Sequence, residues 1–519
     1  MYIQPNSTVR ILKDVPLTPD YKDTLYFASE AEQRSYFIGK TAVTLTSLSY
    51  VRKERGVIKA EVKADRIYSA GYLMYQNTSY GGKWFYAFIT GIEYDNENTA
   101  IITFQIDDLQ TWYFDYSTPP CLVERCHSRT DDIGDNIVPE PVDPGDMVPN
   151  SYIEIHKNHL LGELLDEPVL AVSFIDPEGH SPDGKLVNRV FTTGDIYVFD
   201  LATDAGVEAA SDWLNDVSAQ YFDSIVGMWM IPRWTVGAGL FPSIMSTSRQ
   251  GLQYTHELPR LTSSSPLDGY VPKNNKLYTY PYNLLQVTTA TGSQMAVKYE
   301  FFNSLTPTFQ ETWNLPDPVS SVLRPTNYHG ISASAKDMCL TLQGYPMAMW
   351  SGDAYKAWLA QSKASLVGTL MTMLGGLLLA PVTGGASVAA TIGAGVNLLA
   401  QNHQASIAAD MRGGGSSGSN AWSNDQMDYY ASRMSCTYDK ARMIDDYFTA
   451  FGYACGEIMR PPTHNRKSFT YVKTDGCIVK GDLPSEAAAK IRSIYDAGIR
   501  FWADHGNFGN LAIDNYTLA

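Results

Sequence analysis

Along the first 118 residues apolar positions alternate with polar ones at a period of two. Ile58, Ala60, Val62 and Ala64 stand between Lys59, Glu61 and Lys63, the pattern of a strand with one face buried. Ala100, Ile102, Phe104 and Ile106 repeat it against Ile101, Thr103 and Gln105. Between them runs 83–89 (KWFYAFI), an aromatic, β-favouring stretch that follows the turn signal Tyr80-Gly81-Gly82. Pro119-Pro120 and the Asp-, Pro- and Gly-rich passage 128–149 break the pattern and predict a domain boundary.

Further along, the patterning is mixed. Residues 169–174 and 195–199 predict strands, 205–222 a helix, and 246–275 a turn-rich passage. A strand-like pattern resumes at 276–282 and continues through 296–302. Near the C-terminus the period becomes helical: Met443, Ile444, Tyr447, Phe448 and Phe451 share one stripe, with Gly452 placed as a C-terminal cap. Residues 468–480 read as a strand pair or turn. A last helix starts near Pro484-Ser485-Glu486 and turns Ile491, Ile494, Tyr495, Ile499 and Trp502 inward.

One segment has no polar phase at all. Residues 364–409 are 46 consecutive positions without Asp, Glu, Lys or Arg. Two apolar arms, 364–380 and 386–400, are joined by the turn Pro381-Val382-Thr383-Gly384-Gly385. Each arm falls just short of the ~20 residues of a comfortable helical membrane span. Small residues (Gly375, Gly376, Gly393, Gly395) suit close helix–helix approach in lipid. A Gly/Ser linker follows, with Gly413, Gly414, Gly415 and Gly418 as flexible hinge positions. Read as a membrane-entering hairpin, the segment presents Leu366, Leu370, Met373, Leu377, Leu378, Val388, Ile392, Val396 and Leu399 to lipid. The alternative is a helical hairpin buried in a core or an oligomer contact.

Composition narrows the classes. A chain of 519 residues with 12% aromatic and 18% charged residues is globular and has room for several domains. A net charge of −16 is not that of a nucleic-acid-gripping surface, although an acidic wall can pass DNA without holding it. Six thinly spread cysteines read as reduced thiols of a cytoplasmically made protein. Cys121, Cys126 and His127 fall short of a zinc set because no second cluster accompanies them, so neither a metal nor a cofactor is expected.

Catalytic constellations are equally thin. Gly414-Gly415-Ser416-Ser417-Gly418 matches a nucleophile-elbow pattern but sits in the linker, without the flanking strand and helix that strain such a serine. Asp107-Asp108, taken as strand residues, point to opposite faces and cannot flank one glycosidic bond. His256-Glu257 lacks the second histidine of a zincin. No catalytic residue is assigned, and the protein reads as a non-enzyme.

Several blocks resemble a family. Residues 71–90 (GYLMYQNTSYGGKWFYAFIT) followed by 104–112 (FQIDDLQTW) are similar to the N-terminal part of tail knob proteins, the distal tail tube proteins of small Bacillus-type short-tailed phages. Residues 21–24 (YKDT), 276–282 (KLYTYPY), 466–472 (RKSFTYV), Gly476-Cys477, Gly481-Asp482 and 494–498 (IYDAG) resemble further family segments, in the same order. The likeness covers about 1–125, 270–300 and 430–510; residues 130–270 show no such match. The resemblance implies a mainly β, α+β chain whose tube domains close a ring-wide β-barrel in a homo-hexamer. Its implied partners are other tail proteins (upper tube, tip or plug), double-stranded DNA passing through the lumen without specific binding, and host membrane lipid. It also implies that 364–409 plugs the lumen until released to penetrate that membrane.

The expected organisation is a first tube domain at 1–125, a variable outer domain at 126–270 and a second tube domain at 271–357. The hairpin and linker follow at 358–423, and a C-terminal α/β part at 424–519 completes the tube. The expected place is the distal end of the virion tail, made in host cytoplasm and meeting the host membrane on infection. The competing readings are a stand-alone pore-forming protein and a tail-associated cell-wall hydrolase.

Overall fold

The structure is a computed structural model that describes residues 6–48, 56–77, 81–156, 168–174, 195–200, 225–233, 243–245, 250–289, 292–314, 320–329, 339–343 and 429–518, with a few isolated positions between 203 and 213. It is mostly β-sheet with a few helices. The chain divides into two compact units. The first comprises Met1–Met147, Ser263–Tyr282 and Cys436–Ala519; the second comprises Val148–Thr262 and Asn283–Ser435.

In the first unit a six-stranded sheet runs Thr41–Leu48, Ser7–Leu12, Tyr72–Asn77, Trp84–Asn96, Thr99–Ile106, Val57–Ala60 in spatial order. Both of its faces are covered, as the pleat allows when successive side chains alternate. Leu12, Tyr72, Met74, Trp84, Tyr86 and Phe88 enter the larger core. Ile11, Leu73, Ala87, Ala100, Ile102 and Phe104 enter a smaller one with Ala60, Val62, Ala64 and Ile67. The strand at 57 ends at Ala60, yet Val62 and Ala64 stay buried while Glu61 and Lys63 stay exposed. The alternation thus outlives the ladder.

The larger core is shared with the far end of the chain. A five-stranded sheet orders Asp23–Leu25, Ile499–Trp502, Phe469–Asp475, Cys121–Cys126 and Tyr453–Met459. Asp23–Leu25 pairs in parallel with Ile499–Trp502. Arg500 grips Asp23 bidentately at 2.7 and 3.1 Å, and the Trp502 indole N–H donates to the same carboxylate at 2.7 Å. The helix Ser485–Ala497 buries Ile491, Ile494 and Tyr495 as expected, whereas Ile499 and Trp502 lie on the strand that follows it.

The helix Tyr438–Phe451 buries Ala441, Ile444, Asp445, Phe448 and Thr449. Met443, placed on the inward stripe by sequence, is 66% exposed. Gly452 ends the helix with φ +63°, and a Cβ there would lie 2.3 Å from the carbonyl of Cys126. Only glycine allows so close an approach. The strand pattern at 276–282 does not hold: Asn275–Tyr278 is a 3-10 turn, and regular strand begins at Asn283.

Among its described residues the second unit holds three four-stranded sheets. Their spatial orders are Met147–His156, Tyr429–Cys436, Asn283–Thr289, Gln294–Val297; Ile225–Pro232, Pro168–Phe174, Asp195–Asp200, Ser243–Met245; and Gln250–Glu257, Thr308–Asn314, Ser320–Pro325, Leu340–Gln343. The strands expected at 169–174 and 195–199 are present. The helix expected at 205–222 falls largely outside the described residues.

Candidate functional site

The apolar segment 364–409, with Leu366 through Leu399, and the linker glycines Gly413, Gly414, Gly415 and Gly418 lie outside the described residues. Among the described residues no helix is long and apolar enough to cross a membrane. The last described strand before 364–409 is Leu340–Gln343 and the first after it is Tyr429–Cys436, both within the second unit apart from the final residue.

A buried network joins these two strands. The Tyr429 hydroxyl lies 2.9 Å from the Ser321 carbonyl, 3.1 Å from Ser321 Oγ and 3.4 Å from the Leu340 carbonyl. Ser321 Oγ donates to Glu311 Oε1 at 2.8 Å, and His256 Nε2 lies 2.9 Å from Glu311 Oε2. Glu311 is wholly buried. In register it faces Tyr254 on one side and Leu323 on the other. Its partners come from positions two residues away on each flanking strand, within reach of a glutamate side chain. A carboxylate taken out of water needs such partners. Glu311 has a visible sequence signal: it shares the period-two face of Phe309 and Trp313, where an acid is out of place.

The first unit contains a denser polar cluster. The buried side chain of Glu140 binds Lys276 Nζ at 2.6 Å, the Arg125 guanidinium, and the amide of Ala454 at 2.7 Å. Burial lowers the Lys276 ammonium below its ordinary range, against the pull of Glu140. Beside it, Asp445 accepts from Tyr270 Oη at 2.7 Å, Lys273 N at 2.8 Å, and Asn274 N and Nδ2 at 3.0 and 2.7 Å. Asp131 accepts from Tyr453 Oη at 2.5 Å, and burial raises its carboxyl. These groups come from all three stretches of the unit, so the cluster ties the stretches together. Its members satisfy one another, the arrangement of a structural knot.

The residues with catalytic or metal-binding chemistry serve the fold. His127 is buried; its Nδ1 accepts from the Tyr471 amide at 2.9 Å and its Nε2 lies 3.1 Å from the Thr449 carbonyl, so neither nitrogen is available to a metal. Burial holds the imidazole neutral, lowering its pKa to about 3. Among the described residues no group of three or more His, Cys, Asp or Glu side chains is placed to hold a metal ion. Asp107 is not a strand residue: it caps the short helix Asp108–Thr111 through Gln110 N and accepts from Tyr72 Oη at 2.9 Å. Burial lifts its pKa to about 6. His256 points to Glu311, not Glu257.

A family model described as the C-terminal domain of tail knob protein gp9 of Bacillus phage phi29 matches residues 252–519. A second, for the N-terminus of caudoviral major tail proteins, matches residues 5–117. Tail knob protein gp9 of Bacillus phage phi29 is 23% identical over 98% of this chain and 98% of its own length. The counterpart in Bacillus phage B103 is 24% identical over 95% and 96%. The solved structure of the bacteriophage C1 tail knob protein gp12 shares the fold, with a TM-score of 0.60 at 13% identity over 99% of this chain and 100% of that one.

Proposed function

Because the chain belongs to the phi29-type tail knob family of short-tailed phages, and is thus a structural component of the virion tail and not an enzyme, we propose that six copies close a ring at the distal end of that tail. In this reading the β-rich regions 1–125 and 271–357 form the tube wall, 126–270 faces outward, and 424–519 completes the tube. The lumen passes double-stranded DNA, and the net charge of −16 keeps the polyanion from sticking. Other tail proteins cap the ring above and below. The segment 364–409 occupies the lumen before infection and enters the host membrane after release, with Leu366, Leu370, Met373, Leu377, Leu378, Val388, Ile392, Val396 and Leu399 against lipid.

One observation supports the last step most directly. The 46 uncharged residues are bracketed by two strands whose ends share the Tyr429 hydroxyl. An apolar loop tied at both roots to one folded unit can change its surroundings without unfolding that unit. The test is dye leakage from liposomes by the intact protein and by a 364–409 deletion, at neutral and mildly acidic pH. Leakage lost on deletion, while rings persist by electron microscopy, is the expected result. Equal leakage from both proteins, or none from either, overturns the membrane role. Lysis of host-lipid vesicles by a free monomer would favour the stand-alone pore-forming reading instead.

A further inference from the structure

Four of the six cysteines meet in pairs within the first unit, and both pairs reach the strand Cys121–Cys126. Cys121 and Cys477 lie close enough for each thiol to perturb the other's titration. Cys126 Sγ lies 3.2 Å from Cys455 Sγ, a thiol–thiol contact with no bond formed. Access separates the two pairs. Cys121 and Cys477 are both buried, whereas Cys455 is partly exposed beside a buried Cys126.

The Cys126–Cys455 contact is made by an irregularity in the ladder. Tyr453 pairs with Cys126 and Ala454 with Arg125, but the next pairing is Glu457 with Val123. Cys455 and Gly456 therefore bulge opposite the single residue Glu124, and Gly456 takes φ +64°. Diagonal positions of a regular antiparallel pair are ~7–8 Å apart, too far for thiols to touch. The bulge re-aims Cys455 toward Cys126.

We propose that Cys126 and Cys455 form a reversible disulfide once the protein leaves the reducing cytoplasm in the virion, bolting the strand Tyr453–Met459 to the strand Cys121–Cys126. The oxidant is a small-molecule disulfide such as oxidised glutathione. The Cys455 thiolate attacks one of its sulfurs, expels one thiolate and forms a mixed disulfide. Cys126 then loses its proton to solvent and attacks the Cys455 sulfur, expelling the second thiolate. Two protein thiols and one disulfide become one protein disulfide and two small thiols, so electrons and protons balance. The order of attack follows from exposure. It also follows from the hydrogen bond between the thiols, which lowers the Cys455 pKa and raises that of Cys126. For Cys121 and Cys477 burial raises both thiols, and both residues are buried. The closed loop joins positions 329 residues apart and encloses the whole second unit.

The test uses the full-length protein treated with oxidised glutathione at mildly alkaline pH, alkylated and mapped without reduction. The expected product is a linked pair of peptides containing Cys126 and Cys455, formed before Cys121 or Cys477 is lost to labelling and reversed by dithiothreitol. Thermal unfolding of the first unit should rise by about 5–10 °C on oxidation, and not in Cys455→Ser. In Cys126→Ser, Cys455 should stop as a glutathione adduct. Cys126 and Cys455 that stay alkylatable while exposed Cys339 reacts overturn the proposal. So does a wild-type Cys455 that remains a glutathione adduct.

Discussion

Glu140 in the first unit and Glu311 in the second are both wholly buried carboxylates on β-rich frameworks, but their partners differ in kind. Glu140 is held by two cations, Arg125 and Lys276, and by a backbone amide. Glu311 is held by an imidazole and a serine hydroxyl, with Tyr429 behind the serine. The contrast is between a knot and a relay. In the knot each charge is solvated by the others, so removing one strands the rest in low dielectric. In the relay Ser321 and Tyr429 are neutral hydroxyls, and losing one of them costs roughly a hydrogen bond. The knot joins the three stretches of a unit that must stay whole. The relay stands at the roots of the segment proposed to move.

The largest expected effect tests the knot. Glu140→Ala should cost about 3–5 kcal/mol in denaturant unfolding, because it leaves Arg125 and Lys276 buried without their anion. Adding Lys276→Met should recover part of that loss. If Glu140→Ala cost no more than a relay mutation, the distinction would collapse. Tyr429→Phe should cost about 1–3 kcal/mol and act locally. Hydrogen exchange should quicken in 340–343 and 429–436 while 469–475 keeps its protection.

Two buried titrating groups give the first unit opposite pH slopes, which sharpen the picture of a unit bound by satisfied polar groups. His127 is neutral in the fold down to about pH 3. Below ~6.5 the unfolded chain takes up a proton that the folded one refuses, so stability falls as pH drops from ~6.5 to about 3, at ~1.4 kcal/mol per unit. Asp107 has the reverse sign. Its folded pKa of about 6 lies above the unfolded value of 3.8, so the folded state holds the extra proton and stability falls as pH rises between them. Over that shared window the two slopes offset. His127→Asn should expose the Asp107 slope, and Asp107→Asn, which keeps the helix cap, should expose the His127 slope. Unfolding midpoints measured from pH 3 to 7 read both.

What was legible in the sequence is what repeats locally. The alternations around 58–64 and 100–106, the aromatic run at 83–89 and the helix after Pro484 report short-range geometry, and the structure carries all of them. The aromatic block and the short C-terminal segments identified the family ahead of any fold. Contacts between distant stretches left no periodic trace. Lys276 meets Glu140 across 136 residues, and Cys126 meets Cys455 across 329. The run 276–282 misled because its tyrosines favour strand, while the consecutive burial of Lys276, Leu277 and Tyr278 is met by a turn and not by an alternating strand. Met443 misled because the inward face of its helix is taken by Asp445 and Thr449, whose partner Asn274 lies far away in sequence.

The parallel pairing of Asp23–Leu25 with Ile499–Trp502 also has a consequence for the birth of the molecule. Asp23 emerges from the ribosome 477 residues before Arg500. At ~5–20 residues per second it waits roughly 25–95 s for its partner. Throughout that time the large core lacks Ile491, Ile494, Tyr495 and Trp502. Until Ile499–Trp502 is made, Asp23–Leu25 has no parallel partner and the shared core stays open at that edge.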